Sequence, residues 1–314
     1  MGSIHDLRPD AFNYVWDNSI EPALEIESGE AVELHVRDAS DEQIHKGSGV
    51  EDVAKLDFSH VNPVSGPVFV KGARPGDVLE VELAELKAKD WGWTAIIPGF
   101  GLLADEFPDP WLRISEVEAA AGRVRFGEHV TLPHRPFPGT LGVALPDPGE
   151  HSIVPPSRFG GNMDVKHLRA GVRLFLPVGV DGALFSLGDT HGAQGDGEVC
   201  GTAIETAMDV VVRLSVRRDF SIGAPQFHLP AGALAENEQS SFHVCTGVGP
   251  DLMEAARDAV RATIAHLGEH HGLEREEAYA VASVAADLRI HEVVDAPNWV
   301  VGAFIPEAIF EGGR

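Results

Sequence analysis

Residues 66–83 set the first constraint on the fold. Apolar side chains at Val68 and Val70 lead into the turn signal Arg74-Pro75-Gly76-Asp77, after which Leu79, Val81 and Leu83 alternate with Glu80 and Glu82. A period of two puts successive side chains on opposite faces of a strand, and Pro-Gly favours a tight reversal, so the stretch reads as strand, turn, strand. Comparable segments recur at 31–36, 171–178, 183–187, 206–218, 288–290 and 299–304. A chain punctuated this often buries its apolar side chains in a β sandwich or barrel. The Pro- and Gly-rich stretch 131–162 reads as a long loop, either functional or crossing between parts of the molecule. Helical spacing is clearest where Pro250-Asp251 precedes Leu252, Ala255, Ala256, Ala259, Val260, Thr263 and Ile264. Asp251 is the expected N-cap, and a second helix is expected over 275–286. The expected fold is mixed and β-rich, of the α+β class. A sandwich- or barrel-like N-terminal part spans 1–160 and an α/β C-terminal part spans 161–314, together forming one composite unit.

At 314 residues the chain exceeds one small core. Hydrophobic residues make up 44% and charged residues 23%, as in folded rather than disordered chains. The formal net charge of −25 argues against nucleic acid or an anionic membrane as partner. It leaves a small neutral or cationic molecule. The only cysteines, Cys200 and Cys245, exclude a disulfide framework and a CxxC metal site and suit a reducing compartment. Residues 1–6 lack the blocks of a secretory signal, and no apolar run reaches the roughly 18–20 residues that span a bilayer. A soluble, cytoplasmic protein is expected.

Potential chemistry concentrates in Ser186-Leu187-Gly188-Asp189-Thr190-His191-Gly192-Ala193-Gln194-Gly195-Asp196-Gly197-Glu198. The segment admits three readings. It is a glycine-rich turn with solvated acids, a calcium loop lacking the EF-hand spacing, or a site in which Asp189 and His191 face the same side of a strand end. Asp196 and Glu198 share that two-residue relation. Upstream, Asn162 and Asp164 stand two apart after Gly160-Gly161; they form either a capped turn or a second part of the site. Cys200 is a candidate thiol nucleophile, although the flanking Gly201-Thr202-Ala203-Ile204 suits a packed strand in which a cysteine is structural. His266, His270 and His271 read as surface or capping residues. No nucleophile elbow, Walker loop or dinucleotide fingerprint is present.

The segments from Gly160 to Lys166 and from Ser186 to Glu198 resemble the acetamidase/formamidase family. Its members carry Gly-Gly-Asn-x-Asp followed by Gly-Asp-x-His-x-x-Gln-Gly-Asp-Gly-Glu, and every fixed position is matched. Segments 64–68, 72–79, 137–139 and 287–290 are also similar to the family, so the resemblance covers nearly the whole chain. It implies hydrolysis of short amides such as formamide or acetamide to a carboxylate and ammonia. It also implies a mostly β fold, a homo-oligomer (a dimer or dimer of dimers), and a divalent metal, zinc or calcium, near the active site. The motif places function on Asn162, Asp164, Asp189, His191, Gln194, Asp196 and Glu198. Relatives have a histidine where this chain has Asn62, and His60 is the candidate replacement. The altered segment from Phe12 to Asp17 points to a substrate other than formamide itself. On this footing Asp189 and His191, with Asp164 or His60, are expected to hold the metal. Glu198 is the expected general base, with Asp196 beside it, and Asn162 and Gln194 orient the amide or stabilise its oxyanion. A Cys200-dependent thiol amidase and a non-catalytic small-molecule or metal-binding protein are the alternatives.

Overall fold

The structure is a computed structural model that describes residues 4–101, 108–126, 131–194, 198, 200–231, 241–273 and 287–307. Strands form on both sides of the expected turn, at Val64–Val70 and Val78–Ala88, but they do not pair with each other. The turn instead carries the chain from one sheet to another. Val78–Ala88 lies between Met208–Arg217 and Arg173–Pro177, whereas Val64–Val70 pairs with Phe185–His191.

Nine strands form the larger sheet, in the order Ile4–Asp6, Glu30–Val36, Met208–Arg217, Val78–Ala88, Arg173–Pro177, Gln226–Leu229, Phe242–Gly249, Trp299–Pro306 and Asp287–Glu292. A second sheet runs Gly160–Asn162, Phe137–Val143, Phe185–His191, Val64–Val70 and Phe12–Asn13, with Leu24–Ile26 also on Val64–Val70. Both sheets take strands from either side of residue 160. The main core joins them: Leu34, Val81, Leu174 and Val212 from the larger sheet share one apolar cluster with Val68, Leu141, Phe185 and Leu187 from the smaller. A third sheet of Trp91–Ile96, Trp111–Glu118, Arg123–Arg125 and Thr131–Pro133 stands beside them. The fold is therefore β-rich and sandwich-like, as expected. Residues 131–162 are not one long loop as expected but contain four strands. The Phe137–Val143 portion is a fully buried strand, because Leu141 and Val143 supply core side chains while Gly139 and Gly142 let neighbouring chains approach.

The long helix runs over Leu252–His271. Asp251 caps it by accepting from the Glu254 amide at 2.9 Å, and Gly272 ends it at φ 67°, a left-handed C-cap. Ala255, Ala259, Thr263 and Leu267 form its buried stripe. Gly247 beneath leaves room for the helix backbone at Ala255. His266, expected as a surface or capping residue, is half-buried: its ring stacks on His243 at 3.5 Å, and burial, then His270 and His271, push its pKa down to about 3. The helix expected over 275–286 lies outside the described residues. Among those described, no helix is long and apolar enough to cross a membrane.

His35 ties the edge of the larger sheet together. Its Nδ1 lies 2.9 Å from Asp209 and its Nε2 lies 2.8 Å from Asp6. Hydrogen bonds to Asp209, then Asp6, raise its pKa above the usual value. A raised folded pKa means that the contribution is complete below the unfolded value of about 6.5 and is lost as pH climbs through the folded one. His35→Gln should therefore lower unfolding stability by about 0.5–1 kcal/mol at pH 6. In urea titrations the deficit should shrink at pH 9; an equal deficit at both pH values contradicts the ion-pair account.

Candidate active site

Strand Phe185–His191 is the structural spine of the site, and all seven of its residues are buried. Asp189 departs from strand geometry at φ 54°, and the ladder to Phe137–Val143 skips the position where Gly139 faces it. A side chain at Gly139 would strike the carboxylates of Asp164 and Asp189. The Gly139 carbonyl also accepts from the amides of Met163 and Asp164, at 3.0 and 3.2 Å. Only glycine lets these two acidic residues meet across the strand. Asp164 and Glu198 are likewise left-handed, at φ 49° and 43°. Such conformations in non-glycine residues are strained and gather at functional sites.

His191 sits at the centre and is fully buried. Its Nε2 is 3.2 Å from Asp189 Oδ1, 3.2 Å from Glu205 Oε2 and 3.9 Å from Glu198 Oε1. On the other side, Nδ1 is 2.8 Å from Gln194 Oε1. The Gln194 amide is oriented by its Nε2, which donates to the Asp164 carbonyl at 3.0 Å. Nδ1 therefore carries a hydrogen, and Nε2 is the ring atom that faces the carboxylates. Edge-on contact with Phe137, at 5.1 Å between centroids, holds the ring plane. Glu205 is placed by backbone bonds to Trp93, 2.9 Å from the Trp93 amide and 2.8 Å to its carbonyl, and its Oε1 accepts from Ala203 N at 2.6 Å. Asn162 accepts from Thr140 at 2.7 Å and donates to Asp295 at 2.6 Å.

Burial dominates the electrostatics. It pushes the pKa of Asp164 and Glu198 well above the carboxylate range; Asp189 adds to the effect on Asp164, and Asp164 to that on Glu198. Burial raises Glu205, and burial followed by Asp164 raises Asp295. Burial opposes the His191 cation, but Glu205 and Asp189 outweigh it and hold its pKa well above the usual value. Both oxygens of Asp164 lack a hydrogen-bond donor among the described residues, and Oε2 of Glu205 faces only His191 Nε2, at 3.2 Å. An unpaired buried carboxylate is expensive. A divalent cation fits this set. The ligand atoms of Asp189, His191 and Glu205 lie within 4.8 Å of one another, as do those of Asp164, His191 and Glu198. The Gln194 bond is of the kind that would hold the imidazole in place for a metal.

The structure brings together Asn162, Asp164, Asp189, His191, Gln194 and Glu198 from the residues singled out in the sequence. Asp196 lies outside the described residues. His60 is not part of the group: it is exposed, with Nδ1 2.9 Å from Asp57 and its ring against Tyr14. Asn62, rather than His60, lines the cavity beside Asp189 and Glu198. The thiol of Cys200 approaches the carbonyls of Ala95 and Thr202 and the Thr202 hydroxyl, and no base is within hydrogen-bond reach among the described residues. Sequence reading missed Glu205 and Asp295. Their signal was weak: a carboxylate in the run Ala203-Ile204-Glu205-Thr206, and another after Val293-Val294.

Comparison with known proteins places this geometry. The sequence profile of the Acetamidase/Formamidase family matches residues 4–149 and 146–312. The formamidase of Methylophilus methylotrophus is 25% identical over 94% of this chain and 88% of its own length. A crystal structure of a predicted acetamidase/formamidase from Thermoanaerobacter tengcongensis superposes with a TM-score of 0.88 at 28% identity, covering 98% of this chain and 97% of that one. The acetamidase of Bacillus halodurans superposes at 0.86 with 29% identity and 98% of each chain covered. With both halves of the sequence matched and the motif residues gathered around His191, the chain belongs to the acetamidase/formamidase family.

Proposed function

We propose that the chain hydrolyses short linear amides to a carboxylate and ammonia at the His191 cluster. Asp189, His191 and Glu205 hold a divalent metal there, and Glu198 moves the proton. The observation that carries this reading is the convergence of buried carboxylates on His191 Nε2, in a chain whose relatives include a formamidase and acetamidases. A donor set that mixes an imidazole nitrogen with carboxylate oxygens favours zinc over calcium, which prefers oxygen alone. When bound, such a cation polarises the amide carbonyl and lowers the pKa of nearby water.

The chain's own groups account for the remaining demands of the reaction. Amide nitrogen leaves poorly unless protonated, so one group must collect the proton of the attacking water and pass it on. Glu198 suits that role, because its carboxyl lines the cavity and because burial, then Asp164, raise its proton affinity. Gln194 acts as a positioning residue that fixes the His191 tautomer. Both ends of the Asn162 amide are engaged, so Asn162 positions Asp295 in addition to lining the cavity. Two unpaired cysteines suit a cytoplasmic location, and the family resemblance supports a homo-oligomer.

Ammonia release from acetamide tests the reading. Glu198→Gln should lower kcat by roughly 10²–10⁴-fold while metal content stays unchanged; wild-type turnover overturns the acid–base role. Chelation should abolish release, and zinc rather than calcium should restore it. Gln194→Leu should weaken zinc binding by roughly 10–100-fold in competition with a chromophoric chelator. Cys200→Ala should retain full activity, whereas collapse would favour the thiol route.

A further inference from the structure

Carboxylates of the His191 cluster share one cavity of about 400 Å³ with a set of apolar side chains, and Ser40, Asn62 and Thr202 also line it. Asn162, Asp189, Glu198, Glu205 and Asp295 are its polar lining from the cluster, and Leu56, Val61, Trp93, Ile97, Phe100 and Val154 form its apolar wall. Cavities that take drug-sized ligands run from about 300 to 1,000 Å³. Acetamide, with a single methyl group beyond its amide, would leave nearly all of this wall facing water.

The wall is firmly supported. Trp93 is 2% exposed, and its indole nitrogen donates to the buried Asp38 carboxylate at 2.9 Å. Asp38 is itself held by the Ser40 amide at 2.9 Å and the Ser40 hydroxyl at 2.5 Å. Leu56 and Trp93 share a small core with Ala39, Ile44, Val53 and Ala95, and Ile97 packs against it. A rigid apolar surface of this kind has little conformational entropy to lose when a hydrocarbon covers it.

Position decides which part of an amide meets the wall. The departing nitrogen has to reach Glu198, and the carbonyl has to reach the site bounded by Asp189 and Glu205. The carbon chain is then the part left to meet the apolar wall. We infer that the preferred substrates are primary amides with a medium-length hydrocarbon acyl chain, such as butanamide or hexanamide, and that Val61, Trp93 and Ile97 set this preference. The inference rests on the amide-hydrolase reading above. Each methylene moved from water onto the wall should raise kcat/KM by roughly three- to fourfold.

The test is kcat/KM of the zinc-loaded enzyme for acetamide, butanamide, hexanamide and the monoamide of hexanedioic acid, whose carboxylate tail cannot rest on an apolar wall. The expected result is a gain of roughly tenfold from acetamide to butanamide, a further gain for hexanamide, and loss of that gain for the acid. Ile97→Trp, which fills space along the apolar wall, should erase the advantage of hexanamide over acetamide. Should that variant fold poorly, Val61→Ser should reduce the same advantage. Acetamide equal to or better than the longer amides overturns the inference while leaving amide hydrolysis intact. If no amide is turned over, the amide-hydrolase reading fails, and equilibrium binding followed by tryptophan fluorescence decides the remaining point. Hexanamide binding at least tenfold tighter than acetamide supports the apolar site, and equal binding overturns it.

Discussion

The site is governed by the energy of holding Asp164, Asp189, Glu198, Glu205 and Asp295 out of water around one imidazole. An ionised carboxylate loses several kcal/mol of hydration on burial, and only a well-placed opposite charge offsets it. The attraction acting on Asp164, Glu198 and Glu205 comes from His191, a single positive charge at most. The excess negative charge is relieved either by protons, as the raised proton affinities record, or by a divalent cation. The hydrogen on Nδ1, imposed by Gln194, leaves the lone pair of Nε2 facing Asp189 and Glu205, an arrangement that is repulsive unless a proton or a cation lies between them.

The rest of the molecule makes that concentration of charge possible. Strand Phe185–His191 is buried along its whole length, so Asp189 and His191 are shielded from bulk solvent. Gly139 gives two carboxylates room across the strand, and the third sheet brings Glu205 in through its bridge to Trp93. Trp93 thus serves two ends: its backbone positions a carboxylate, and its side chain forms part of the apolar wall. The close link between the charged lining and the apolar wall of the cavity follows from that one strand.

Much of the fold was legible because period-two patterns are local. Residues 31–36, 206–218 and 299–304 all became strands, and Asp251 capped its helix as its position predicts. Sheet membership was not legible, because partner choice depends on contacts distant in sequence. The strands flanking Arg74-Pro75-Gly76-Asp77 therefore separated into different sheets. In the site, Asp189 and His191 met as their spacing implied, although Asp189 does so through a left-handed turn of the backbone and not through a regular pleat. Glu205 and Asp295 carry no motif of their own; only tertiary approach makes them part of the cluster. The residue type of His60 suits a metal ligand, but its hydrogen bond to Asp57 keeps it at the surface.

Diffraction at the zinc absorption edge, from crystals of the protein grown with zinc, tests the central claim most directly. The account predicts an anomalous peak among Asp189, His191 and Glu205, within about 2.0–2.2 Å of His191 Nε2 and the carboxylate oxygens. A protein that hydrolyses amides while showing no peak there would contradict it.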